Sequence, residues 1–186
     1  MQARSMVMTS LFAALLAVSS QISIPIGPVP ITMQVLLVLL LGMVLGSRLG
    51  PASLAVWVLL GIFGLPVFAQ SKAGAAVLIG PTGGYIFGYF ICAYIVGYVA
   101  EHFELTYKNT AVAMFFGLVV IYAIGLGGFM LSFEYVLNKP MTLERALQLS
   151  VLPFLPLDIM KAIAAVYLGV RVRRSLIKAG LLTSEQ

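Results

Sequence analysis

Two ionisable residues lie where charge is expensive. Asp158 and Lys161 sit within the apolar stretch Leu152-Pro-Phe-Leu-Pro-Leu-Asp-Ile-Met-Lys-Ala-Ile-Ala-Ala-Val-Tyr167, and a charge at membrane depth costs on the order of 3 kcal/mol on insertion scales. Their i, i+3 spacing puts both on one helical face. They read either as a binding pair facing a cavity or as a structural ion pair, with Asp158 near a helix start where the dipole favours an acid. Gly80-Pro-Thr-Gly-Gly-Tyr85 opens a second apolar run. Its glycines let a backbone approach a ligand, and N–H groups at a helix start suit an anion such as a carboxylate. Gly84 is read as such an approach, or, with Gly88, as a small-residue contact between helices. Tyr85 and Tyr89, four apart, wall a pocket or simply pack. Thr32 and Gln34 follow three closely spaced prolines and place uncharged hydrogen-bonding groups at a cavity mouth, for a ligand or for freed backbone groups.

Other chemistry is missing. The lysine and hydroxyl of a phosphate-binding loop do not follow the glycines, so the chain has no visible nucleotide motor. No nucleophile–base pair and no His–carboxylate metal cluster stand out, which argues against an enzyme and against a metal site. The single Cys92 supports neither a disulfide framework nor a thiolate site, and the lone His102, after Glu101, reads as an exposed loop residue.

These residues are carried by a membrane protein. Of 186 residues, 61% are hydrophobic and 9% charged, with mean hydropathy +1.08, against about 25% charged in a soluble domain. The net charge of +5 does not indicate nucleic-acid binding, because the basic residues are scattered at the ends of apolar runs. A bilayer core of about 30 Å needs about 20 apolar residues per helix. Spans are predicted near Ser5–Ile24, Ile31–Gly46, Pro51–Val67, Thr82–Ala100, Thr110–Phe133 and Leu152–Val172. The fold class is therefore all-α integral membrane, one domain over 1–186, with six transmembrane helices. With both termini cytoplasmic, the inner segments hold Arg4, Arg48, Lys108, Arg171, Arg173, Arg174 and Lys178, the outer loops hold Lys72, Lys139 and Arg145, and Lys161 lies inside a span. That bias fits the positive-inside rule, and a cleaved signal peptide at the start would spoil it.

The three outer loops differ from the rest. Loop one, Pro25-Ile-Gly-Pro-Val-Pro30, is stiffened by its prolines and is predicted to close as a preorganised lid. Loop three, Phe68 to Pro81, holds Gly74 and Gly80, and loop five, Glu134 to Ser150, carries a short polar or amphipathic stretch from Thr142. No internal repeat of the inverted-transporter kind is evident. Ala13 and Ala17 in the first span supply small residues four apart, which permit close helix approach.

Ile24-Pro-Ile-Gly-Pro-Val-Pro-Ile-Thr-Met-Gln34, Gly80–Tyr85 and Leu155-Pro-Leu-Asp-Ile-Met-Lys161 together resemble the biotin transporter substrate-binding component of the energy-coupling-factor class of transporters. The likeness covers nearly the whole chain in length, span number and motif order, and departs from it in a less glycine-rich Ser71–Ala76. It implies a subunit of the cell (plasma) membrane that captures biotin from outside, with no bound cofactor. It also implies partners, a transmembrane coupling subunit and two ATPase subunits, and a docking surface for the coupling subunit at Ala13 and Ala17. Biotin offers two ureido N–H donors, a carbonyl and a carboxylate. Asp158 can accept the ureido N–H groups, and Lys161 can donate to the ureido carbonyl or to the carboxylate. A stand-alone secondary transporter or channel using Asp158 and Lys161 as an ion-coupled pair is the alternative.

Overall fold

Backbone polar groups in lipid must be satisfied within the chain, and helices do this segment by segment. The computed structural model describes residues 3–180 and is almost wholly helical: α1 Ala3–Gln21, α2 Gln34–Ile62, α3 Ala76–Ile79, α4 Gly83–His102, α5 Tyr107–Leu131, α6 Leu143–Ser150 and α7 Leu155–Lys178. Two short strands, β1 Ser23–Ile24 and β2 Ile31–Thr32, pair antiparallel around loop one, with Ser23 opposite Thr32. By length and apolarity four helices can cross a membrane, and a fifth crossing follows if the bent pair α6 and α7 counts as one.

The second and third predicted spans are continuous as α2, with a sharp break at Gly46, where φ is 81° and ψ is −174°. Only glycine adopts that conformation readily. The chain reverses there: a Cβ added at Gly50 would lie 3.5 Å from the Gly42 Cα, whereas eight residues of straight helix span about 12 Å. Thus α2 is a helical hairpin, and Pro51 falls inside its second leg instead of at its start. The loose ends at the bend are satisfied from other helices. Glu101, at the end of α4, accepts from the Ser47 N–H at 2.8 Å and from the Ser47 hydroxyl. Arg173 of α7, only 3% exposed, donates through Nη1 to the Met43 carbonyl at 2.8 Å. Arg173 therefore does structural work beyond the orienting charge expected of it.

The ends of the remaining elements shift for local reasons. The first span stops at Gln21 because the proline-rich loop pairs as a hairpin of strands, so Ile31 and Thr32 are strand and not helix. The fifth continues beyond Leu131 through a π-helical turn, Ser132–Val136. The polar stretch after Thr142 is α6, and the Thr142 hydroxyl accepts from the Arg145 N–H. Between α4 and α5 the backbones touch: a Cβ at Gly84 would lie 2.7 Å from Ile124 O and 2.8 Å from the Gly128 Cα. In lipid such close approach replaces the hydrophobic drive for helix association. Cys92, fully buried, belongs to the same packed core.

Gly84→Ala or Gly128→Ala is expected to force these backbones apart and destabilise the protein by about 1–3 kcal/mol. Gly27→Ala, where an added methyl meets nothing within 4 Å, is expected to be neutral. Thermal unfolding in detergent compares the three.

Candidate functional site

Loops one and three, predicted to lie on one side, meet over an open cavity whose space, counted out to its mouth, is about 700 Å³. Loop one supplies Val29 and Pro30 to its wall, loop three supplies Phe68 and Lys72, and α5 and α7 supply Tyr122 and Asp158. Apolar groups dominate the wall. Phe68 packs edge-on against Trp57 at 5.1 Å between centroids.

Asp158 is 5% exposed and sits in the first turn of α7, where the helix dipole favours its charge. Lys161 donates to Oδ1 at 2.7 Å and Tyr122 donates to Oδ2 at 2.7 Å. Each carboxylate oxygen accepts about two hydrogen bonds, so capacity for a ligand's N–H groups remains. Lys161 also donates to the Thr32 carbonyl at 2.7 Å. That bond ties the strand at the end of loop one to the helix bearing Asp158. The Thr32 hydroxyl donates to Gln34 Oε1 at 3.2 Å, fixing the buried carboxamide in the cavity wall. Tyr85 donates to the Ser150 carbonyl, anchoring α6, and its ring meets Tyr122 edge-on. The result is a largely apolar cavity with a buried, oriented carboxylate, one amide and an exposed lysine, Lys72, in its lining, an arrangement that suits a ligand carrying N–H donors and offers no reactive pair among the described residues.

The BioY family model matches residues 1–178. The chain belongs to the BioY family. A biotin transporter BioY of Thermotoga maritima is 42% identical over 173 residues, covering 92% of this chain and 96% of that protein. A probable biotin transporter BioY of Pyrococcus horikoshii is 40% identical, over 93% and 98% of the two chains. Among solved structures, the S-component for biotin from an ECF-type ABC transporter superposes with TM-score 0.81 at 26% identity, covering 93% of this chain and 92% of that one.

In this BioY-family chain the cavity gathers Thr32, Gln34, Tyr85, Tyr89 and Asp158 from the residues singled out in the sequence. Four other positions fall elsewhere. Gly84 faces α5, so its missing side chain serves helix contact and not ligand approach. Lys161 lies behind Asp158, its ammonium bound to the carboxylate and to Thr32, and is not part of the cavity wall. Ala13 is 1% exposed in the core and Ala17 packs against it half-buried, so both pack against the protein's own helices. The small residues mark a close contact as expected, but spacing alone does not say with which helix. His102 is exposed, its ring nitrogen 3.0 Å from the Tyr98 carbonyl.

Sequence reasoning missed Tyr122, Trp57 and Phe68, which carry no spacing signal inside apolar runs. It also missed Gln21, the last residue of α1. Its side-chain nitrogen donates to the Pro66 and Phe68 carbonyls at 3.0 and 3.1 Å, and its oxygen accepts from the Ser71 N–H and hydroxyl at 3.2 and 3.0 Å.

Lys161→Met is expected to destabilise the fold by about 3 kcal/mol, because it strands a buried carboxylate and leaves the Thr32 carbonyl without its donor. Asp158→Asn combined with Lys161→Met should recover part of that loss. A double-mutant cycle by thermal unfolding in detergent measures the coupling; strictly additive losses would show that the two side chains do not act as a pair.

Proposed function

We propose that this chain is the biotin-binding membrane subunit of an ATP-driven uptake transporter of the energy-coupling-factor type, and that it is not an enzyme. The observation that carries the reading is the cavity built around Asp158 in a chain that matches biotin transporters along nearly its full length. A ureido group presents two N–H donors to a carboxylate that is already oriented by Tyr122 and Lys161, and the bicyclic body suits the apolar wall. Gln34 completes the polar contacts, and Tyr85, Tyr89 and Thr32 shape the wall. Loop one acts as a lid whose prolines limit the entropy lost on closing.

The chain crosses the plasma membrane six times, through α1, the two legs of α2, α4, α5 and α7. Six crossings bring both termini to the same side, and the Lys/Arg bias makes that side cytoplasmic. The cavity then opens outward. Energy comes from partners, a transmembrane coupling subunit and two ATPase subunits, since the sequence holds no phosphate-binding loop. Val7, Leu11, Ala14 and Val18 form an exposed apolar stripe along α1, the face of that helix free to meet the coupling subunit.

Calorimetric titration of the purified chain with biotin, without ATP or an ion gradient, is expected to show saturable one-site binding. Asp158→Asn should weaken it by roughly 100-fold, as expected for loss of a charge-assisted contact in a dry site, while the variant still unfolds cooperatively. Wild-type protein that binds another vitamin but not biotin would overturn the substrate. Uptake by the chain alone in vesicles, driven by an ion gradient, would instead support a secondary transporter.

A further inference from the structure

Among the described residues two charged side chains line the cavity, and they differ in setting. Asp158 is buried, whereas Lys72 is exposed on loop three. Among the described residues no side chain pairs with the Lys72 ammonium. Lys161, the other nearby cation, is committed to Asp158 and to the Thr32 carbonyl and does not line the cavity. A ligand with N–H donors at one end and a carboxylate at the other is therefore sorted by charge. The buried carboxylate of Asp158 repels an anion and accepts N–H groups, and the cationic residue of the cavity's lining stands on loop three.

Loop three is built to hold in place the backbone that carries Lys72. Gln21 clamps it from α1 through Pro66, Phe68 and Ser71. The Val67 carbonyl accepts from both Trp57 Nε1 and the Ser20 hydroxyl, at 2.9 and 2.6 Å, and the Phe68 N–H donates to the Lys72 carbonyl at 3.1 Å. Gln70 and Ser71, immediately before Lys72, have φ of 61° and 56°. Non-glycine residues keep that conformation only where their surroundings over-determine it, and here the clamp does so. Phe68 and Lys72 thus reach the cavity from a preorganised segment and not from a loose loop.

We propose that Lys72 selects for the ligand's carboxylate, with Gln21 as the residue that positions it. The proposal rests on the assignment of biotin to this cavity and adds the direction of binding: ureido group toward Asp158, carboxylate toward Lys72. The experiment is a competition titration of the purified full chain with biotin and biotin amide. Wild-type protein should prefer biotin. Lys72→Met should weaken biotin roughly five- to tenfold, the scale of a part-exposed ion pair, leave the uncharged amide unchanged and so erase the preference. Lys72→Arg should restore it, and added salt should narrow it in wild type and Lys72→Arg, with no preference left to narrow in Lys72→Met. Gln21→Ala should reduce the preference in the same direction. If Lys72→Met weakens both ligands equally, or neither, the assignment of Lys72 is overturned while the biotin site stands. If wild-type protein binds neither ligand, the biotin site itself is wrong.

Discussion

A carboxylate removed from water must be met by donors, and the cavity-bearing half of this molecule is arranged around meeting that of Asp158. Its two oxygens receive a lysine and a tyrosine, one from its own helix and one from α5. The lysine reaches on to the Thr32 carbonyl. A charge that would be costly in lipid thereby becomes the joint between α7, α5 and loop one. Breaking such a pair on one side costs more than never having built it, so the joint is kept closed by the energetics of burial. The same arrangement leaves acceptor capacity facing a cavity, so the group that joins these elements is also the one proposed to recognise the ligand.

The helices that carry the joint are held by close backbone contact. Gly84 on Gly128 draws α4 against α5, which brings Tyr85 and Tyr89 to the cavity wall beside Tyr122. At the far end the hairpin in α2 turns on Gly46, with Glu101 satisfying an N–H group of one leg and Arg173 a carbonyl of the other. These two contacts link α4 and α7 to the bend. Gln34 and Trp57, on opposite legs of that hairpin, both line the cavity.

Much of this was legible in the sequence because lipid imposes strong rules. Apolar runs marked the helices, and the cost of charge in lipid singled out Asp158 and Lys161 within the last of them. Prolines marked loop one as non-helical, and Thr142 marked the start of α6. What could not be read depends on direction and not on type. Lys161 and Asp158 share a face, yet only the fold shows that the lysine turns to Thr32 and leaves the aspartate to the cavity. Ala13, Ala17 and Gly84 all signal close approach, but the periodicity is the same whether the neighbour belongs to this chain or to another. Gln21 and Glu101 act across 50 and 54 residues of sequence, on backbone groups that no motif records. The hairpin at Gly46 depends on one positive φ, which a glycine in a glycine-rich chain does not announce.

The central claim is that Asp158 forms the polar floor of the biotin site. A high-resolution structure of the purified chain with biotin bound tests it most directly. The account predicts ureido nitrogens within about 3 Å of the Asp158 carboxylate, with Tyr122 and Lys161 still donating to it. Biotin seated elsewhere, or seated here with its ureido group turned away from Asp158, would contradict it.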